Sequence, residues 1–129
     1  MGSDFEKSLE TFYENSLGGT AGKVLFTILV LVVGGLCEIG GGWLVWQVLR
    51  VGMSPWILIP GSVILVIYGL LMSLQMMQFS RAFATYGGVF IFLSLVWGWV
   101  VDKQVPDKWD CIGAAIALVG AGVIAFVPR

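Results

Sequence analysis

The stretch VLFTILVLVVGGLCEIGGGWLVWQVL, residues 24–49, decides the fold because it is apolar over more than one bilayer crossing. A helix needs about 20 residues to cross the ~30 Å hydrocarbon core of a membrane. The only carboxylate in this run is Glu38, near its middle. A charge at that depth costs roughly 2.5–3.5 kcal/mol on insertion scales, so chains keep one mainly where a proton, an ion or a substrate needs it. Glu38 is therefore the first candidate for a functional residue.

Three more apolar runs follow, at residues 56–77, 82–101 and 111–127. Hydrophobic residues make up 58% of the chain and charged residues 12%, whereas soluble domains carry about 25% charged residues. The connections are too short for a soluble catalytic domain, and they make sequential helices antiparallel neighbours. We predict an all-α integral membrane protein whose four transmembrane helices form one domain at residues 23–129.

Residues 1–22 form a polar leader in which Phe5, Leu9 and Phe12 are interspersed with acidic residues. Two interpretations remain open for it, a frayed tail and a short amphipathic helix on the membrane surface. We expect no cleavable signal peptide, because the first apolar run is too long for a signal sequence and carries Glu38.

The residue inventory argues against several classes of function. The chain has no histidine, and Cys37 and Cys111 lack CxxC spacing, which removes the usual metal sites. We expect both cysteines to be packing residues. No phosphate-binding loop and no nucleophile beside a base is present, and the net charge of −1 gives no reason to expect nucleic acid. We therefore expect no enzyme activity, no catalytic residue, no metal and no cofactor.

Glycines surround Glu38 on its helix face, since residues three, four and seven positions away share a face. Gly34, Gly41 and Gly42 belong to this patch. Glycine in a membrane helix allows close helix packing, and a glycine patch also leaves space beside a carboxylate for a ligand. We favour the second interpretation, in which the three glycines line a cavity, and packing stays open as the alternative.

The third apolar run carries an aromatic stripe at helical spacing, which includes Tyr86, Phe90 and Trp97. Such stripes more often face lipid or a core than a ligand, but aromatic faces attract cations. We therefore take the three residues as candidate cavity residues beside Glu38. Gly87 and Gly88 weaken the same helix, and we predict a hinge there.

The fourth run is rich in small residues and has no polar side chain within it. The pattern predicts a helix that associates with a second copy of the chain. Its predicted seam consists of Gly113, Ala117, Gly120 and Ala121. Asp107 or Asp110 is expected to cap the first turn of this helix.

Lysine and arginine residues are divided almost evenly between the two sides of the predicted bundle. One side carries Lys7, Lys23, Arg81 and Arg129, and the other carries Arg50, Lys103 and Lys108. The positive-inside rule therefore gives little preference. Two interpretations follow: one orientation that is set by other factors, or dual insertion with antiparallel pairing.

The sequence resembles the YnfA-like family, which looks like a branch of the small multidrug resistance (SMR) transporters. The resemblance covers about residues 24–129 and lies in three motifs and four single positions. These are CEIGGGW at 37–43, RAFATYGGVF at 81–90, WGW at 97–99, and Asp102, Pro106, Trp109 and Asp110.

This resemblance implies an antiparallel homodimer joined largely through the last helix, in the cytoplasmic (inner) membrane of a prokaryote. It also implies alternating access, with Glu38 shared between protons and a cationic substrate, and Tyr86 matches an aromatic position that faces the SMR cavity. The sequence departs from the drug exporters of that group in three features. Gly42 replaces a small hydroxyl residue, Val63 occupies the depth of their second-helix tyrosine, and the polar leader is unusual.

The function that these features favour is proton-coupled export of lipophilic or aromatic cations. The first alternative is export of a small polar cation, such as guanidinium or a polyamine. The second is one half of a heterodimeric transporter. The third is a non-transporting scaffold or lipid-binding protein, in which Glu38 stays protonated and donates a packing hydrogen bond.

Overall fold

The computed structural model describes residues 1–129 and consists of helices and their connections, with no strand. Two short turns accompany the helices: a π-helical turn at Gln47–Val51 and a 3-10 turn at Pro55–Ile57. The five α-helices are α1 (Gly2–Ser16), α2 (Thr20–Trp46), α3 (Leu58–Met72), α4 (Phe79–Val100) and α5 (Lys108–Phe126).

Four helical segments are long and apolar enough to cross a membrane: Thr20–Val51, Pro55–Met72, Phe79–Val100 and Lys108–Phe126. The predicted class, an all-α membrane protein with four spans, is therefore confirmed. The second span ends earlier than the apolar run suggests, at Met72 rather than Met77. The Ser73 hydroxyl donates to Leu70 O at 2.6 Å, and Gln75 Nε2 donates to Thr27 O of α2 at 3.2 Å. These polar contacts turn the chain while its hydropathy is still high.

Helices α2 and α3 form an antiparallel pair that packs through glycines. A Cβ atom at Gly41 would lie 2.8 Å from Leu65 Cγ and 2.9 Å from Gly61 O. A Cβ atom at Gly61 would lie 3.2 Å from Leu44 Cβ. The two backbones therefore approach each other more closely than helices with side chains at these positions could.

Helices α4 and α5 pack together in the same way, around Gly88. A Cβ atom there would lie 2.5 Å from Ala117 O and 2.6 Å from Ala121 Cβ. Ala121 is buried within the protomer, so it is an intramolecular packing residue and not part of a seam with a second copy. The seam prediction remains for Gly113, Ala117 and Gly120, of which the two glycines have open space in front of them.

The first turn of α5 is closed by a capping box, in which both of the expected residues take part. Asp107 Oδ1 accepts hydrogen bonds from Trp109 N at 2.7 Å and Asp110 N at 2.9 Å. Asp107 N donates in return to Asp110 Oδ2 at 3.0 Å. Reciprocal bonds of this kind satisfy backbone donors that an uncapped helix leaves free.

The leader is a helix, so the frayed-tail interpretation is wrong. Gly18 and Gly19 turn the chain between α1 and α2 with φ values of 63° and 97°, which glycine adopts without a steric cost. The Tyr13 hydroxyl donates to Leu74 O at 3.1 Å, and its ring packs edge-on against Phe26 at 5.3 Å between centroids. Burial raises the pKa of the Tyr13 hydroxyl above its usual value, which keeps this hydroxyl a donor.

Helix α4 continues without interruption past Gly87 and Gly88, so the structure gives Gly88 a packing role and leaves the hinge a prediction. The two adjacent glycines differ in their surroundings, because a Cβ atom at Gly87 would meet nothing within 4 Å. Because of this difference, the same substitution at Gly87 can serve as the control for Gly88.

We predict that Gly88→Ala lowers the free energy of unfolding by about 1–3 kcal/mol, because the new methyl group overpacks the contact with α5. Gly87→Ala should instead be neutral or stabilising by up to about 1 kcal/mol, since alanine is the better helix former. Denaturation of both variants in a mild detergent, followed by circular dichroism, measures the difference. Equal effects would mean that α4 and α5 do not meet at Gly88.

Candidate functional site

Glu38 lies in the middle of α2, half-buried between α3 and α4. Its Oε2 atom accepts a hydrogen bond from the hydroxyl of Tyr86. Tyr86 belongs to the buried core of the bundle, where its ring is only 5% exposed. The structure therefore brings together two residues that are 48 positions apart and that the sequence had singled out separately.

A second tyrosine, Tyr68 of α3, lies beside Tyr86 and opposite Glu38. Its ring is 5.5 Å from the Tyr86 ring between centroids, and its Cδ2 atom would lie 3.7 Å from a Cβ atom at Gly34, one helical turn before Glu38. One acidic side chain from α2 therefore faces one phenol from α3 and one from α4. We call Glu38, Tyr68 and Tyr86 the carboxylate site.

Aromatic and apolar groups surround the carboxylate site. The Phe83 and Phe90 rings lie 6.3 Å and 5.6 Å from the Tyr86 ring between centroids. Leu31 and Met72 pack beside Tyr86 in the buried cluster of the bundle. Phe90 thus lies beside Tyr86, the hydrogen-bond partner of Glu38, and its role as a cavity residue stays a prediction.

No lysine or arginine forms an ion pair with Glu38. The two ion pairs in the structure both involve acidic residues of α1, and they join the N-terminal amine to Asp4 and Lys23 to Glu14. The charge of an ionised Glu38 is therefore met only by neutral donors. An apolar setting makes a charge without an ionic partner costly.

The predicted glycine cavity has to be corrected at two positions. A Cβ atom at Gly34 would lie 3.5 Å from Met72 Sδ and 3.7 Å from the Tyr68 ring, and Gly41 is closed by α3 as described above. Atoms of α3 fill the space beside both glycines, because α3 lies directly on this face of α2. Gly42 is different, since a Cβ atom there would meet nothing within 4 Å.

Gly42 opens onto a cavity of about 480 Å³ at the C-terminal end of α2, which we call the indole cavity. Trp97 of α4, which was predicted to line a cavity beside Glu38, lines this cavity instead, together with Trp43 and Trp46. Glu38 is not among the lining residues. The full lining consists of Ile39, Gly42, Trp43, Trp46, Gln47, Val51, Trp97, Asp102 and Gln104.

Tyr68 is the residue of the carboxylate site that the sequence interpretation missed. The resemblance placed Val63 at the depth of the second-helix tyrosine of SMR exporters. Val63 is 52% exposed on the outer face of α3. The contacts of Gly34 with Met72 and of Gly41 with Leu65 share one antiparallel register. That register places Tyr68 opposite Glu38, so a prediction of the hairpin register would have found it.

These features define a class, the small four-helix integral membrane proteins with a single carboxylate at mid-span. The chain belongs to the YnfA/UPF0060 family, since residues 24–129 match the family described as "Uncharacterised BCR, YnfA/UPF0060 family". This match confirms the predicted membership. Helix α1 lies outside the matched residues.

Similar proteins occur in several bacteria and are named membrane proteins. The chain is 49% identical over 106 residues to the UPF0060 membrane protein sll0793 of Synechocystis, which covers 82% of this chain and 98% of that protein. It is 50% identical over 107 residues to the UPF0060 membrane protein YfjF of Bacillus subtilis, with coverage of 82% and 98%. No solved structure matches the chain. Together with the four spans, these relatives identify a multi-pass protein of the bacterial inner membrane.

We predict that Tyr86→Phe and Glu38→Gln couple by about 0.5–1 kcal/mol in the free energy of unfolding, because the amide oxygen still accepts the hydrogen bond and only its charge assistance is lost once, not twice. The double-mutant cycle is measured by denaturation in detergent at neutral pH. Tyr13→Phe with Glu38→Gln is the matched control, since the Tyr13 hydroxyl binds Leu74 O at the end of the bundle. Additive effects in the Tyr86 cycle would contradict the contact.

Proposed function

We propose that the protein is a proton-coupled exporter of lipophilic or aromatic cations that works by alternating access. The observation that carries the proposal is the setting of Glu38. It is the only carboxylate in the middle of a span, because Asp110, the other one within the spans, lies in the first turn of α5. Its recorded hydrogen-bond partner is a neutral tyrosine and not a base.

One carboxylate can balance one positive charge at a time. A proton that binds Glu38 removes the charge that holds a cation, and a bound cation opposes protonation of the same oxygens. The Tyr86 hydroxyl supports the ionised form by donating to it. Exchange of proton for cation at this single group is sufficient to couple their movements in opposite directions.

The surroundings of Glu38 favour an aromatic or lipophilic cation over a small polar one. Rings from α3 and α4 flank the carboxylate, and the face of an aromatic ring attracts a cation that it also desolvates. A small polar cation such as guanidinium needs several hydrogen-bond acceptors. Glu38 is the only side-chain acceptor with a formal charge at this depth, which supports the lipophilic class.

A second copy of the chain, in antiparallel orientation, is part of the proposal. Helix α5 carries an outward stripe of exposed apolar side chains, which consists of Ile112, Ile116, Val119 and Val123. Gly113 and Gly120 border the stripe and offer open space for close approach. Pairing through this face would bring together two protomers whose glutamates alternate in access to the two sides.

We predict that Glu38→Gln abolishes cation-driven proton release from detergent-purified protein and proton-coupled uptake in liposomes. The amide keeps the shape of the side chain but binds neither a proton nor a cation in the way a carboxylate does. The panel should include tetraphenylphosphonium, its neutral relative triphenylphosphine oxide, and guanidinium. Glu10→Gln, in the exposed part of α1, is the matched control and should keep wild-type signals.

Unchanged transport by Glu38→Gln would contradict the proposed mechanism. A response to guanidinium alone would replace the substrate class with the small polar one. Silence of the wild-type protein across the panel, from a folded dimer, would favour a missing partner chain or a role as a scaffold.

We also predict that Gly120→Leu weakens self-association, because the bulky side chain separates the two α5 helices. Gly69→Leu is the matched control, since Gly69 is likewise exposed on a spanning helix with open space before it. Energy transfer between differently labelled protomers in liposomes reports the monomer–dimer equilibrium. If both variants dimerise like the wild type, α5 is not the seam.

A further inference from the structure

The indole cavity lies between the carboxylate site and one membrane surface. On α2 its lining begins at Ile39, directly after Glu38, and continues with Gly42, one helical turn after Glu38, and Trp46, two turns after it. At 1.5 Å per residue Gly42 and Trp46 are about 6 and 12 Å from Glu38 along the axis of α2. A solute that approaches Glu38 from this side therefore passes the cavity.

The walls of the cavity are suited to an organic cation. Three of the six tryptophans of the chain, Trp43, Trp46 and Trp97, line it, and indole faces are the strongest aromatic partners for cations. Its volume of about 480 Å³ lies within the roughly 300–1,000 Å³ that is usual for small-molecule sites.

Asp102 supplies the only acidic charge in the lining. Its Oδ1 atom accepts a hydrogen bond from Trp43 Nε1 at 3.3 Å, which holds the carboxylate at the wall of the cavity. The nearby Lys103 amine is engaged elsewhere, because it donates to Val100 O at 2.6 Å. Trp97 Nε1 is buried and has no acceptor, so a polar donor in the wall is still unsatisfied.

The structure already contains a cation against one of these rings. The Arg50 guanidinium lies 4.7 Å from the centroid of the Trp46 ring. The face of Trp46 is therefore accessible to a positive group in this conformation. Arg50 would both compete with an incoming cation for that face and repel it.

We propose that the indole cavity is a second binding site, distinct from Glu38, for an aromatic or quaternary organic cation, with Asp102 as its counter-charge. Occupancy of this site does not require Glu38. Its role as the first contact for a transported substrate rests on the proposed function, whereas binding itself does not.

The test is equilibrium dialysis of radiolabelled benzyltrimethylammonium against the purified Glu38→Gln protein, in which the carboxylate site is disabled. Binding should persist, and Asp102→Asn should weaken it by about five- to tenfold, because the amide keeps the bond from Trp43 but removes the charge. Arg50→Gln should tighten it, which a misfolded variant cannot mimic. Trp46→Leu should weaken it by about threefold.

Two matched controls separate the cavity from its surroundings. Lys108→Gln removes a similar cation–ring pair, since the Lys108 amine lies 5.1 Å from the Trp109 ring, and neither residue lines the cavity. Trp99→Phe alters an exposed tryptophan outside the lining. Neither control should change binding by more than about twofold.

Loss of all binding in Glu38→Gln would overturn the proposal, and so would binding that ignores both Asp102→Asn and Arg50→Gln. Binding that follows the predicted pattern supports the second site even if the wild-type protein transports nothing, in which case only the proposed function fails. Conversely, transport that depends on Glu38, without binding in Glu38→Gln, leaves the proposed function standing alone.

Discussion

A carboxylate in the hydrocarbon core of a membrane needs a hydrogen-bond donor, a proton or a counter-ion, and this constraint organises the bundle. Glu38 finds its donor in the Tyr86 hydroxyl, which arrives from a different span. The bond can form only if α2 and α4 lie side by side with a shared depth. Packing also has to keep the Tyr86 ring buried while its hydroxyl points at the carboxylate. The hydrogen bond of Glu38 therefore depends on the same helix packing that forms the bundle.

The glycines allow the close helix packing that this hydrogen bond requires. Gly41 lets α3 approach α2 until Leu65 and Gly61 O fill the space of a side chain, and this contact fixes the register that brings in Tyr68. Gly35 does the same towards α4, because a Cβ atom there would lie 2.5 Å from Leu93 Cδ1. Open space beside the glycine patch is confined to Gly42. The patch thus positions the carboxylate more than it encloses a ligand.

The sequence predicted the class of fold and singled out Glu38 and Tyr86, which the structure brings into contact, and the reasons are physical. A single charge in a long apolar run is conspicuous. Tyr86 was singled out because it lies in the RAFATYGGVF motif and in the aromatic stripe of the third apolar run. Tyr68 was missed because its place depends on the register of α2 against α3, which hydropathy does not report. The end of α3 was missed for a similar reason, since polar contacts of Ser73 and Gln75 end the helix inside an apolar stretch.

The two ends of the bundle differ in chemistry, and this difference bears on the antiparallel pairing that we propose. At one end α1 packs on the bundle through Tyr13 and an ion pair between Lys23 and Glu14. At the other end the indole cavity opens beside Asp102. A single protomer is therefore asymmetric along the membrane normal. Two protomers in opposite orientations would give each surface one α1 and one cavity, and the proposed alternation between equivalent states would require such a match. The nearly even distribution of lysine and arginine between the two sides favours the same arrangement.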